Sequence, residues 1–387
     1  MSLFNEASIT LTKELSKKTK KDQGIYFTPN SIVKYIASFL EPYSINSVLE
    51  PSCGSCEFLE HFSLKSLTAI ENNLEIYNNI KHKYSFVIHD DFLQHKFQNT
   101  FDLVVGNPPY FVLPKKMVDT RYYKYFDGRP NIYIIFIIKS FELLNENGIL
   151  AFVLPTNFLN CIYYNELRKY LSSFNILDIK ITREKFLETS QEICIFIIQK
   201  SPKAQALNDD FIVKFKNIIL FKSKEDVFKI KELTFNTTTL FNLGCKLNIG
   251  TVIWNECKPE LTDDNSKCVL IYNGDIKNNK LQLQKYTDKS KKNYINRTGS
   301  TEKVIIINRG YGTGKYTFNY CLIDVSPELK NGYLVENHCI VIHCNCHDII
   351  IKSFEDPRTK EFIELVFSNN AINIQELNFI FPIFLQV

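Results

Sequence analysis

Apolar residues in the first half of the chain come in short runs separated by stretches with helical spacing. The runs cover residues 47–50, 67–71, 85–89, 101–106, 148–154, 176–181 and 193–199. Each is short enough for a strand and lacks a clear alternation of polar and apolar positions, the mark of a strand covered on both faces. Between them, residues 132–144 and 163–172 carry apolar side chains at helical intervals. Residues 30–40 do the same with Ile32, Val33, Ile36, Phe39 and Leu40, and Pro29 stands where a first helical turn tolerates a missing N–H. Strands alternating with helices predict a mainly parallel, Rossmann-like α/β sheet of seven strands within residues 24–205.

The pattern changes at the polar segment 201–210. Beyond it, β-rich runs at 268–272, 304–308, 316–323 and 339–343 are separated by Gly, Asn and Lys turns, which predicts a second, β-rich α+β domain over residues 211–387. Residues 1–23 are polar and lysine-rich (Lys13, Lys17, Lys18, Lys20, Lys21) and read as a basic arm with some helix.

Composition narrows this picture only a little. The 387 residues carry 46 Lys and Arg against 42 Asp and Glu, so a polyanionic partner would need a local basic face. The opening residues lack a signal-peptide pattern, and the longest apolar runs fall well short of the ~20 residues of a membrane span. The 11 cysteines are scattered, as in a chain kept in a reducing interior. These features lead to the expectation of a soluble intracellular protein, a monomer with no membrane contact.

The candidate chemistry lies at strand ends. Glu50-Pro51-Ser52-Cys53-Gly54-Ser55-Cys56 follows the first strand and is expected to open a helix. In a doubly wound sheet, ligands bind at the carboxyl ends of strands, where a small-residue turn lets backbone approach them. Glu71 ends the second strand, where a carboxylate can accept from two ribose hydroxyls. Asp91-Phe92 ends the third and offers an acceptor beside an aromatic wall. After the fourth strand comes Asn107-Pro108-Pro109-Tyr110. Two prolines fix φ and remove two N–H donors, leaving a stiff turn with free carbonyls. The Asn107 amide oxygen and the Pro108 carbonyl can accept both hydrogens of an amine, aiming its lone pair at an electrophilic methyl group. Tyr110 can stack on the ring that carries the amine.

With these motifs in this order, the chain resembles the TaqI-type adenine DNA methyltransferases of the gamma arrangement, strongly over residues 24–200. The resemblance implies S-adenosyl-L-methionine as cofactor, held by Thr28 of the leading Gly24–Pro29 motif and by Glu50, Pro51, Cys53, Gly54, Glu71, Asp91, Phe92 and Asn107. It implies catalysis by Asn107, Pro108 and Tyr110, and a flipped adenine stacked between Tyr110 and Phe186. It also implies double-stranded DNA as partner, and a restriction endonuclease acting on the same site. Two positions depart from the family: Cys56 stands where a glycine is usual, and Asn73 where an acid is usual.

In the second half, Asn308 to Lys315 follows a strand and is rich in glycine, but no helix follows, so a dinucleotide fingerprint fails its context. Arg309, Gly310, Tyr311 and Lys315 instead suit close approach to a phosphate backbone. His338-Cys339 and His343 to His347 lack paired C-x2-C spacing, and no metal is expected. The alternatives are a protein-glutamine methyltransferase, an RNA adenine methyltransferase and a non-catalytic DNA-binding specificity subunit. An intact Asn107 and Tyr110 speak against the last.

Overall fold

The computed structural model describes all residues except 1–2, 63–64, 183, 185, 187–191, 203–208, 311–315, 325, 368–370 and 386–387. Contacts divide the chain into two compact units. One holds Met1–Lys214 with Ile219–Phe228, and the other holds Phe215–Ile218 with Lys229–Val387.

In the first unit, seven strands form one sheet: β1 (Ser47–Glu50), β2 (Ser66–Glu71), β3 (Val87–His89), β4 (Phe101–Gly106), β5 (Leu144–Pro155), β6 (Phe174–Thr182) and β7 (Ile193–Pro202). Their order is β3-β2-β1-β4-β5-β7-β6. Only β7 runs against its neighbours, pairing antiparallel with both β5 and β6. All seven runs read from the sequence appear, with ends that differ by a few residues.

The reason lies in side-chain alternation. Along β5, Ile149, Ala151 and Val153 enter one core, while Leu150, Phe152 and Leu154 enter the other. β7 repeats this with Ile193, Ile195 and Ile197 against Cys194, Phe196 and Ile198. Both faces are apolar because both are covered. On one side lie α1 (Glu6–Glu14), α3 (Asn30–Leu40) and α4 (Leu74–Ile80), contributing Leu11, Ile36 and Ile76. On the other lie α5 (Ile132–Glu142) and α6 (Asn165–Leu171), with Phe136 and Leu167. Every residue of α5 from Ile132 to Phe141 is buried, so this helix has no solvent face.

Two expectations are corrected. The described residues 3–23 are not an arm: α1 and α2 (Lys17–Gln23) fold into the first unit. Leu11 and Leu15 are 2% and 3% exposed, and the ammonium of Lys20 donates to the Thr12 carbonyl at 2.6 Å. The lysines mask a helix pair whose few apolar residues join the core that also holds α3. The turn after β1 opens no α-helix either; it continues as turns into a 3-10 segment, Leu59–Phe62. Gly54 and Cys56 both take positive φ, 52° and 63°, and interrupt helical geometry there. At Cys56 the chain holds the left-handed conformation that glycine would favour, with a fully buried cysteine.

The second unit is β-rich with helices. Its largest sheet sets strands Lys246–Ile249, Cys339–His343, Val304–Asn308 and Tyr320–Ile323 side by side, all antiparallel. A second sheet of four short strands includes Cys268–Ile271 and Tyr333–Val335. Helices His347–Glu355, Pro357–Val366 and Ile374–Phe379 complete the unit. Among the described residues, no helix is long and apolar enough to cross a membrane.

Candidate active site

In the strand order, β1 has β2 on one side and β4 on the other, so the direction of winding reverses between β1 and β4. The carboxyl ends flanking that point frame a cavity of about 170 Å³. Its wall collects residues from four successive turns: Pro51 and Gly54 after β1, Glu71 at the end of β2, Asp91 and Phe92 after β3, and Asn107 after β4. Spacing along the sequence ranges widely, but parallel strands bring all four turns to one edge.

Glu71 is buried and already oriented. Its two carboxylate oxygens accept from the backbone N–H groups of Gly54 at 2.9 Å and Asn73 at 2.7 Å. Burial pushes its carboxyl up to about 7. Asn73, the departure from the family pattern, also caps α4 by accepting from Ile76 N–H at 3.0 Å, and its amide donates to Gln23 at 2.8 Å. Phe92 is 1% exposed and packs on Phe136 with ring centroids 4.8 Å apart. Lys139, a buried lysine on α5, donates to the carbonyls of Leu93 at 3.1 Å and His95 at 2.9 Å, fastening the loop that carries Asp91 and Phe92. The wall also includes Gln23, Phe111, Ile132 and Phe136, which sequence reasoning missed. Ile132 and Phe136 are one helical turn apart on α5, a spacing that reads equally well as plain core.

Asn107 joins the cavity to the leading motif. Its amide nitrogen donates to the Tyr26 carbonyl at 2.9 Å and to Thr28 Oγ1 at 3.2 Å. That fixes the amide so that its oxygen receives the Tyr110 hydroxyl at 2.5 Å, a hydroxyl also 2.7 Å from the Val153 carbonyl. The Tyr110 ring is half-buried and stands edge-on to Tyr133 at 6.0 Å. Gly24 lies against this turn: with φ +64°, a Cβ there would come within 2.6 Å of the Tyr110 backbone nitrogen. The leading motif and the Asn107 turn are thus in contact through atoms that leave no room for a side chain.

Thr28, Glu50, Cys53, Pro108 and Tyr110 do not line the cavity. Thr28, Glu50 and Cys53 are 2%, 2% and 3% exposed. Thr28 holds Asn107, and its own N–H donates to Glu57 at 3.4 Å. Glu50 has one buried carboxylate oxygen with no hydrogen-bond partner among the described residues. Burial, with Cys56, Glu57 and Glu71 nearby, pushes its carboxyl well above the usual range. An orphaned acceptor within a buried acidic group suits a ligand bearing ammonium and sulfonium charge. Gly54 adds space, since a Cβ there would meet only Phe27, at 3.3 Å. The residues present therefore fit S-adenosylmethionine: an apolar slot for a planar base, a carboxylate for ribose and acids for the cationic end.

Phe186, expected as a second stacking wall, is 6% exposed and belongs to the core cluster that also holds α3, whereas Tyr110 packs against the other cluster. Its apolar surroundings on that face outweigh any gain from standing in solvent.

In the second unit, Asn308 closes the base of the glycine-rich hairpin. Its amide donates to Thr317 O at 2.7 Å and its oxygen accepts from Asn319 N–H at 2.7 Å. Arg309 is half-buried, and Gly310 takes φ 81°. Tyr311 and Lys315 lie outside the described residues.

The family models match within the first unit, while two relatives match along nearly the whole chain. A family model for N-6 DNA methylases matches residues 3–79, and one for Eco57I restriction-modification methylases matches residues 54–186. The type II methyltransferase M.CvrRI of Paramecium bursaria Chlorella virus XZ-6E is 28% identical over 389 residues, covering 96% of this chain and 97% of its own length. The modification methylase CviBIII of Paramecium bursaria Chlorella virus NC1A is 27% identical over 405 residues, covering 98% of this chain and 99% of its own. The type II methyltransferase M.TthHB8I of Thermus thermophilus is 27% identical over 202 residues, or 47% of this chain and 46% of its own. Together these matches support an adenine N6 DNA methyltransferase family for the chain.

Proposed function

We propose that the protein methylates N6 of a flipped adenine at a specific sequence in duplex DNA, using S-adenosylmethionine, in the gamma order of the TaqI-type enzymes. The observation that carries this reading is the fixed Asn107 amide. Tyr26 and Thr28 hold its nitrogen, so its oxygen is committed as an acceptor at the edge of the cavity.

When bound, S-adenosylmethionine supplies a methyl group already activated by a sulfonium. Glu71 would accept from the ribose and Phe92 and Phe136 would flank the base, while Glu50, which does not line the cavity as it stands, would have to be uncovered to receive the amino end. Asn107 Oδ1 and the Pro108 carbonyl accept the two hydrogens of the target amine. These bonds localise the nitrogen lone pair and stabilise the positive charge it develops as the N–C bond forms and the S–C bond breaks. One amine proton then leaves to solvent. For the amine to reach Asn107, the Tyr110 hydroxyl shares or gives up that oxygen and keeps the Val153 carbonyl, and the ring then stacks on the base. Extruding the base costs a few kcal/mol, and one stacked face returns about 1–3 kcal/mol. Arg309, Gly310, Tyr311 and Lys315 supply phosphate and groove contacts from the second unit. A monomer suffices for this chemistry, and a restriction endonuclease cutting the same unmodified site is the fitting partner.

The test is transfer of labelled methyl from S-adenosylmethionine to plasmid DNA, with modified bases mapped by sequencing. N6-methyladenine at one recurrent sequence is expected. Label on cytosine, RNA or protein glutamine would replace the substrate assigned here. Asn107→Ala should lower kcat by about 10²–10³-fold while cofactor binding stays within a few-fold, as when one oriented polar group at a developing charge is removed.

A further inference from the structure

Several cysteines, such as Cys194 and Cys268, are buried in the apolar cores and behave as small hydrophobes. Cys245, Cys344 and Cys346 differ: their sulfur atoms all lie within 4.8 Å of one another. They come from three elements of the second unit. Cys245 immediately precedes strand Lys246–Ile249, and Cys344 immediately follows strand Cys339–His343. Those strands pair antiparallel with Lys246 opposite His343, so one further step sets Cys245 opposite Cys344. Cys346 is the residue that begins helix His347–Glu355, and the single intervening Asn345 returns its thiol to the pair. Cys245 is 9% exposed, the other two are half-buried, and all three are free thiols.

Burial alone explains a cysteine in an apolar core. It does not explain three thiols converging from two strand ends and a helix start. Zinc bonds to thiolate at about 2.3 Å, which places the sulfurs of a tetrahedral site about 3.8 Å apart. Closing the trio onto an ion needs a shift of about 1 Å or less. Soft thiolates select Zn²⁺ over hard cations such as Mg²⁺. The neighbouring histidines are turned elsewhere: His343 Nδ1 meets Glu302 at 3.1 Å, and His347 Nε2 meets the Lys303 carbonyl at 3.2 Å.

We propose that Cys245, Cys344 and Cys346 bind one Zn²⁺ as three thiolates, with water or a small anion completing the tetrahedron. Three S–H bonds are lost, three S–Zn bonds form, and three protons pass to solvent, with no oxidant required. The ion clamps two adjacent strands to the helix that follows them. The same sheet contains Val304–Asn308, the strand that leads into Arg309 and Gly310. Zinc here is structural, stiffening the base of the candidate DNA-contacting hairpin. The sequence concealed it because Cys245 is remote from the Cys344-Asn345-Cys346 pair and no fourth ligand completes a familiar spacing.

The test uses the full-length protein, reduced and stripped with a chelator, titrated with Cd²⁺ as an optical stand-in for zinc. A thiolate-to-metal absorption band should rise and saturate at one equivalent, and added Zn²⁺ should suppress it. Cys344→Ser and Cys346→Ser should each weaken Cd²⁺ binding about tenfold or more, whereas Cys161→Ser, outside the trio, should not. Circular dichroism checks that each variant folds. In the unaltered protein, Zn²⁺ should protect Cys245, Cys344 and Cys346 from alkylation, a readout that needs no variant. A band that never saturates, a band unchanged in the two variants, protection of other cysteines, or a disulfide within the trio in place of metal binding would each overturn the proposal.

Discussion

The two units present candidate contacts in different ways. In the first, four turns converge on one cavity because a mainly parallel sheet delivers successive strand ends to the same edge. In the second, the candidate DNA contacts sit on one hairpin whose base is closed by Asn308 and whose tip lies outside the described residues. A site assembled from several strand ends is over-determined, and each member is held by others. A site on one hairpin depends on its own loop chemistry. Substitutions in the first unit should therefore act through packing and orientation together, and those in the second mainly through charge.

Four substitutions can break or sharpen this contrast. The largest effect is expected at Phe186. As a core residue it should cost about 3–5 kcal/mol of unfolding free energy when changed to Ala, read by denaturant titration. Unchanged stability with slower capture of the flipped base would return Phe186 to a stacking role. Next is Gly24→Ala, which combines a positive φ with a Cβ 2.6 Å from Tyr110 N. A loss of about 1–3 kcal/mol is expected, with impaired methyl transfer, because the Asn107 turn must shift. A variant with unaltered melting temperature and kcat would show that the two motifs are not mechanically joined.

Glu71 gives a smaller, pH-dependent effect. Its folded-state value of about 7 lies above an ordinary unfolded glutamate near 4.3, so the folded protein holds this proton more tightly. Its contribution to stability falls as pH rises between those values and is level above about 7. Cofactor binding should run the other way. The ionised carboxylate is the better acceptor for ribose hydroxyls, so the Kd should drop as pH rises through about 7. Glu71→Gln should flatten that profile, and a profile that stays unchanged would remove Glu71 from the ribose. The smallest effect belongs to Arg309→Ala. It should weaken DNA binding a few-fold and reduce the salt dependence of the binding constant by about one phosphate contact. An unaltered salt slope would place this arginine off the DNA.

Much of the first unit was legible because the signals are local. Seven apolar runs became seven strands, and the turns ending in Gly54, Glu71, Phe92 and Asn107 each follow directly on a strand. Legibility failed where a residue's role depends on a distant neighbour. The lysines of 1–23 suggested a solvated arm, but Leu11 and Leu15 join a core built from distant helices and strands that no local pattern announces. Cys56 departs from the usual glycine, yet the surrounding turn holds it at φ 63°. Nothing in the sequence singles out Lys139, and only the folded helix shows it bound to the loop after β3.

By itself the sequence determined where strands end and which side chains stand at those ends, since period and turn chemistry act over a few residues. It thereby fixed the cofactor edge and the Asn107 turn. Tertiary structure alone decided that Gly24 presses on the Tyr110 backbone, that Phe186 is core, and that Cys245 meets Cys344 and Cys346. Each of these joins segments whose separation along the chain carries no energetic signal until packing brings them together.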